Sequence, residues 1–333
     1  MDFPSVRALG SPALESTSNE RSVAVVAAKF EIIDAQVHLN QLGPDWQTAS
    51  TDSVIATGIQ VMDAVGIDRV LIGEAHGFDS KFRPVGEELP NGAIRSAFPF
   101  SERAVELHPA RFTYHVVIDF TDPELDRLTA EVKTRPGANS MRIVPVPQTG
   151  AVDSLEHGEF DALFAAAERD GVPVFAWVPR RAHLLLPYIQ RFPKLQFIVD
   201  HCGVGVAPLR VGELPVTMET SLTRSRDDRV AELRRVCGMA QYPNVALKWC
   251  HAPGLLSEEE YPYRDVMPLL RQAIDAFGVE RIMWASDYTI ARDQNGNSWA
   301  QCLYYLLDSD QLSETEKEWL LGGSVRKILN WTD

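Results

Sequence analysis

The feature that most constrains this chain is a repeated alternation of short apolar runs with amphipathic segments. Eight such runs occur, at residues 31–39, 68–77, 111–120, 138–146, 171–179, 195–203, 244–252 and 281–289. Each is nearly continuous in Val, Ile, Leu, Phe and Ala instead of alternating apolar with polar. Strands written this way are buried on both faces, as in a parallel sheet covered by helices. The segments between them carry helical periodicity, for example 159–170, 227–241, 263–277 and 313–329. Ser313 and Glu316 have the spacing of a capping box that opens the last of these.

Eight strands alternating with helices close into a barrel or lie open as a doubly wound sheet. The open sheet usually carries a glycine-rich phosphate turn after its first strand. Here the first run ends in QVHLNQLGPDW, without a GxGxxG. The expectation is therefore an α/β chain with a (β/α)8 TIM barrel as one domain over residues 29–333. A chain of 333 residues suggests two domains by size alone, but a barrel of roughly 250 residues plus insertions forms a single unit. Residues 1–28 are rich in Ser, Ala and Pro without a clear period. They read as an N-terminal extension, for which a homo-oligomer contact is one use.

Composition narrows the partners. The formal net charge is −14, from 46 acidic and 32 basic residues. Phosphate backbones need clustered Lys and Arg, so a nucleic-acid partner is not expected. A small anionic substrate remains compatible, because a single Arg can hold a carboxylate. The four cysteines, Cys202, Cys237, Cys250 and Cys302, form no CxxC pair. Dispersed thiols fit a reducing compartment. The apolar run at 23–28 is too short for a signal or a membrane span. A cytoplasmic protein with a small-molecule substrate and no membrane partner is expected.

In a barrel, the C-terminal ends of the strands line one mouth, and function concentrates there. The polar residues at or near these ends are Asp34, Gln36, His38, Glu74, His76, Asp119, Arg142, Trp177, Arg180, Arg181, Asp200, His201, Lys248, His251, Asp287 and Tyr288. Each has an ordinary structural reading, as a satisfied core group or a loop anchor. Together they are harder to dismiss, since five of the eight histidines (38, 76, 115, 201, 251) fall in strand runs. His115 lies early in its run and is assigned to the core. The catalytic candidates are Asp287, His201 and His38. The substrate-binding candidates are Gln36, His76, Arg142, Trp177, Arg180, Lys248, His251 and Tyr288.

"IIDAQVHL" in the first run, "FIVDHCG" in the sixth and "IMWASDYT" in the eighth resemble the amidohydrolase superfamily. They are most similar to its amidohydrolase-related branch, which includes pyrone-dicarboxylate and sugar-acid lactonases and aminocarboxymuconate-semialdehyde decarboxylases. The resemblance spans about residues 30–330. The family pattern places His-x-His on strand 1, His on strands 5 and 6, and Asp on strand 8. His38, His201 and Asp287 match it. Gln36 stands in place of the first His, and Trp177 or a neighbour in place of the strand-5 His.

Those departures bear on the metal that the resemblance implies. Zinc or manganese sites of this type use about three protein ligands. A set of His38, Asp287 and Gln36 includes an amide, which is a poor zinc ligand. The expectation is thus no tightly bound cofactor, with one divalent metal (Zn or Mn) as the alternative. Without a metal the nucleophile is weak, so the substrate needs a good leaving group. The expected reaction is opening of a lactone or ester C–O bond of a small aromatic or carboxylated substrate. Asp287 would be the general base, with His38, His201 and Arg142 stabilising the oxyanion. The alternatives are a metal-using non-oxidative decarboxylase and a degenerate, ligand-binding barrel.

Three long connections, 78–100, 203–226 and 252–262, should set specificity. Phe78, Phe82, Phe98 and Phe100, with Trp46 and Trp177, form either an apolar ligand wall or packing of the loops on the barrel. Arg142, Arg180 and Arg181 are candidates for a substrate carboxylate.

Overall fold

The structure, a computed structural model, describes residues 30–43, 45, 48–74, 86–145, 149–204 and 225–332. Eight strands follow one another in a single parallel sheet. They are β1 (Ile33–Val37), β2 (Arg69–Ile72), β3 (Phe112–Val116), β4 (Ala138–Ile143), β5 (Val174–Ala176), β6 (Phe197–Val199), β7 (Val245–Cys250) and β8 (Ile282–Ala285). Each pairs with its sequence neighbour. The sheet closes where the last strand returns to the first, through a parallel bridge between Val37 and Tyr288. Asp287 N donates to Gln36 O at 3.0 Å across the same seam, and His38 N donates to Tyr288 O. The expected TIM barrel is the observed fold, and all eight apolar runs supply its strands.

The strands show why their sequences are apolar throughout. Along β8, Ile282 and Trp284 join the outer core with the helices, while Met283 and Ala285 join a second cluster inside the barrel. Successive side chains point to opposite faces, and here both faces are buried. The inner cluster includes Ile33, Ala35, Leu71, Phe175, Ile198 and Ala246. Val325 and Leu329 of the C-terminal helix join it. Above this apolar floor the same alternation turns polar residues inward, namely Arg142 on β4, Asp200 after β6 and Lys248 on β7.

A bulge in β1 is decisive for the site. Asp34 pairs with Val70 and Val37 with Ile72, so three steps on β1 match two on β2. One extra residue on one strand re-aims the side chains beyond it. Asp34 faces outward, where Trp299 Nε1 donates to its Oδ2 at 2.7 Å. Gln36 and His38, two and four residues on, nevertheless point into the mouth.

Several helices differ in detail from the sequence reading. Residues 313–329 form a chain of Glu314–Glu318, a π-helical turn Trp319–Gly323 and Ser324–Leu329. The turn brings Gly322 against the carbonyl of Glu31, where a Cβ would lie 2.5 Å from that oxygen. The Ser313–Glu316 capping box is present. Residues 86–100, read as loop, contain a hairpin of Gly86–Glu88 with Ile94–Ser96 and the start of a helix, Pro99–Leu107. Phe98 and Phe100 pack into the outer core, so packing is the reading that holds for these two aromatics. Phe78, Phe82, Trp46, His76 and the extension 1–28 lie outside the described residues. Among the described residues, no helix is long and apolar enough to cross a membrane.

Asp34 also anchors the seam. Its Oδ1 accepts from Ser286 N at 2.9 Å and from Gln36 N at 3.1 Å. Burial pushes its carboxyl up from the ordinary 3.8 to about 6, although the bonds from Ser286, Trp299 and Gln36 oppose the shift. A raised folded-state pKa means stability that is complete below about pH 4 and lost as pH rises through about 6. Relative to an Asp34→Asn variant, wild type should therefore lose about 3 kcal/mol between pH 4 and pH 8. Urea unfolding of both proteins across that range checks this, and parallel stability curves would refute it.

Candidate active site

Asp287 lies two residues past the end of β8 and is 1% exposed. Its two oxygens serve different neighbours. Oδ1 accepts from Gln36 Nε2 at 2.6 Å and lies 3.1 Å from His38 Nε2. Oδ2 lies 3.1 Å from His251 Nδ1 and 3.3 Å from His201 Nε2. One carboxylate thus gathers side chains from the ends of β1, β6 and β7. Burial alone would raise its pKa, but His201, His251 and His38 hold it well below the usual aspartate range. His201 moves the opposite way. Burial lowers its pKa, but Asp200 and Asp287 outweigh that and raise it.

The backbone aims these groups at a cost. His201, His251 and Asp287 have φ of 50°, 55° and 61°. Non-glycine residues seldom occupy that left-handed region, and holding one there costs on the order of 1–3 kcal/mol. Three strands in succession end in this bend, and each turns its side chain towards the same point.

Behind the cluster stands Asp200, buried and fully engaged. Its Oδ1 accepts from Lys248 Nζ at 2.6 Å, His201 Nδ1 at 2.9 Å and His201 N at 3.0 Å. Its Oδ2 accepts from Arg142 Nε at 2.8 Å and Nη2 at 2.7 Å. Burial would raise this carboxyl too, but Arg142, Lys248 and His201 hold it well below the usual range. Lys248 is 0% exposed. It also donates to Gln36 Oε1 and lies 4.7 Å from the centre of the Phe175 ring. A residue so enclosed supports the site from behind and does not line its open wall.

The donor atoms fit a divalent cation. Nδ1 of His201 faces an Asp200 oxygen, which can only accept, so the neutral ring carries its proton there and leaves Nε2 bare. Nε2 of His251 faces Asn295 Oδ1 at 2.6 Å. Asn295 Nδ2 donates to Gly254 O at 3.5 Å, which sets the amide with its oxygen towards the ring. That leaves Nδ1 of His251 bare. In their neutral forms both rings turn a lone pair to one carboxylate oxygen, and a cation there satisfies all three and takes the place of the proton that Asp200 and Asp287 otherwise favour on His201. His201, His251 and Asp287 form a buried group whose ligand atoms all lie within 4.8 Å of one another. In this set His201 and His251 stand where the sequence reading placed Gln36 and His38. Asn295 had no signal in the sequence, because only the fold brings its helix (Ile290–Asn295) back to His251.

The other candidates are placed as follows. His115 packs edge-on against Phe175 at 4.7 Å inside the barrel, and burial pushes its pKa well down. Glu74 accepts from Phe100 N and Ser101 N and so caps the helix at 99–107. Asp119 binds Ile94 N and Thr121 in the loop after β3. Tyr288 stacks on Trp299 at 5.1 Å. Trp177 is nearly buried after β5. Arg180, at φ 63°, and Arg181 lie half-buried beyond it.

The amidohydrolase family profile matches residues 91–331. The chain belongs to the amidohydrolase family. An amidohydrolase from Burkholderia multivorans, crystallised with bound zinc, shares the fold at 15% identity and a TM-score of 0.64, over 91% of this chain and 100% of that one. A 5-carboxyvanillate decarboxylase from Novosphingobium aromaticivorans, complexed with manganese and a nitrobenzoic acid, shares it at 15% identity and a TM-score of 0.57, over 91% and 97%. L-Fucono-1,5-lactonase from Burkholderia ambifaria is 30% identical over 117 residues, 34% of this chain. The match spans about a third of that lactonase, 33% of its length. Family membership makes the chain an enzyme of the amidohydrolase superfamily, in which both hydrolases and decarboxylases occur.

One expectation is overturned. The sequence reading favoured no tightly bound cofactor, because two expected ligand positions were replaced. Two solved structures of similar fold hold zinc or manganese, and here His201 and His251, neither counted towards a metal, form a buried three-ligand group with Asp287.

Asp200 should prove a keystone of stability. Asp200→Asn leaves the buried Lys248 and the half-buried Arg142 short of their counter-charge, and breaking a buried pair typically costs about 3–5 kcal/mol. Chemical denaturation should show a loss of that size. A change below about 1 kcal/mol would show that the ion pairs are not holding the mouth together.

Proposed function

We propose that this chain is a metal-assisted hydrolase that opens a lactone or ester C–O bond of a small, carboxylated or aromatic substrate. The observation that carries the reading is the buried group of His201, His251 and Asp287, with two bare imidazole nitrogens facing one carboxylate oxygen at the barrel mouth. The local similarity to L-fucono-1,5-lactonase favours a lactone over other acyl substrates.

A divalent ion held by these three residues would supply Lewis-acid activation of a carbonyl and of water at neutral pH. The protein's own groups do the rest. The attacking water forms a bond to the acyl carbon, and the ring C–O bond breaks. The water proton goes to Asp287, and the leaving oxygen takes up a proton in turn. A carboxylate held so far below its usual range keeps a proton only transiently. His38 Nε2, 3.1 Å from Asp287 Oδ1, is the neighbouring atom able to take it over. His38 is 8% exposed, against 3% for His201 and 2% for His251, so it is the most open of these three histidines. Arg142 lies on the same interior face and contributes positive charge where an oxyanion or substrate carboxylate would gather.

The test pairs catalysis with metal content. Zinc- or manganese-loaded protein should hydrolyse sugar-acid or aryl lactones, followed by acid release with a pH indicator. Asp287→Asn keeps the shape but cannot accept the proton, and the rate should fall by about 100-fold to 10,000-fold. Metal content should fall with it, while the melting temperature changes little. Carbon dioxide release from an aromatic acid, without lactone opening, would replace this reading with a decarboxylase.

A further inference from the structure

We propose that Lys248, acting through Gln36, withdraws His38 and one oxygen of Asp287 from the metal, leaving His201, His251 and the other oxygen as the ligands. The inference rests on the metal reading above and goes beyond it by deciding which histidines take part. Gln36 and Lys248 are positioning residues in this scheme.

The argument follows the protons. Lys248 Nζ can only donate. Its contacts are Asp200 Oδ1 at 2.6 Å, Gln36 Oε1 and the Phe175 ring, and these account for its three hydrogens. The amide of Gln36 is therefore locked with its oxygen towards Lys248 and its nitrogen towards the mouth. That nitrogen carries two hydrogens. One goes to Asp287 Oδ1 at 2.6 Å. The other faces His38 Nε2 at 3.3 Å.

His38 is set to receive it. Its Nδ1 lies 2.5 Å from Gly73 O, a carbonyl that can only accept. The neutral ring thus carries its proton on Nδ1, and the lone pair on Nε2 meets the Gln36 amide. His201 and His251 likewise turn their N–H groups away, to Asp200 and Asn295, but no amide stands in front of their free nitrogens; beyond Asp287 Oδ2, His201 Nε2 has only the Cys250 thiol at 3.7 Å. The single amide of Gln36 therefore divides five ligand atoms into two that it engages, His38 Nε2 and Asp287 Oδ1, and three that it leaves, His201 Nε2, His251 Nδ1 and Asp287 Oδ2.

A double-mutant cycle in zinc affinity tests this on the full chain, by competition with a chromophoric chelator and with metal content measured on the same samples. His38→Asn alone should leave zinc affinity within about 3-fold of wild type, whereas His251→Asn should lower it by about 100-fold or more. Gln36→Met removes the amide at similar volume and frees His38. In that background His38→Asn should now cost about 10-fold or more. Lys248→Met should produce the same dependence on His38. If that buried variant does not fold, the Gln36→Met cycle decides the matter. Equal losses from His38→Asn and His251→Asn in the wild-type background would overturn the inference while leaving the metal reading intact. So would a His38 contribution that does not change with residue 36. A wild-type chain that takes up no zinc overturns both.

Discussion

Everything at the mouth depends on the closing of the barrel between its first and last strands. Residues about 250 positions apart in the chain meet there: Val37 with Tyr288, Gln36 with Asp287, and Asp34 with Ser286. Parallel pairing across so long a loop is entropically expensive. It is held by backbone hydrogen bonds and by a buried aspartate that takes three donors, one from Trp299. The same seam delivers Gln36 and His38 to Asp287. Catalytic geometry and fold closure are here one set of contacts, so the site cannot assemble before the barrel does.

The second constraint is the burial of charge. Asp200, Asp287, Lys248 and Arg142 lie in or beside the barrel interior, where unpaired ions are prohibitively costly. Asp200 is matched by Arg142, Lys248 and His201, and Asp287 by the Gln36 amide and by either a cation or the second proton of His201. The effect on the two carboxyls is the same in sign. Both are held well below their usual range despite burial. That keeps Asp287 anionic at working pH and suited to a cation. Lys248 satisfies Asp200 and orients Gln36 at once, so one buried ammonium fixes both a charge balance and an amide direction.

The fold was legible because the apolar runs are written for two buried faces, and no glycine-rich turn competed for the open-sheet reading. The gathering of His38, His201 and Asp287 was legible from their places at strand ends. The ligand set was less so. His251 sits in "KWCHA", outside the motif positions of the resemblance, and its aim depends on a left-handed φ that sequence does not announce. Gln36 read as a poor metal ligand, which is a statement about its type. Its actual part follows from Lys248 behind it, a contact made between residues 212 positions apart. The bulge in β1 was also invisible, yet without it Gln36 and His38 would share the outward face of Asp34. The hairpin at 86–96 escaped because its strands are three residues each, too short to show a period.

The left-handed turns after β6, β7 and β8 complete the physical account. A strand that simply continued past His201, His251 or Asp287 would alternate its side chains in and out, and each would point radially instead of up towards the mouth. Bending the chain sharply at these residues lifts the side chain to the rim and leaves the apolar layer below undisturbed. The strain of three such positions is a standing cost of on the order of several kcal/mol. The barrel below can support it, because its double-faced strands bury large side chains such as Trp249, Trp284 and Phe197 almost completely. In this chain stability is concentrated in the floor and spent at the rim, where the chemistry requires three side chains to meet at one carboxylate.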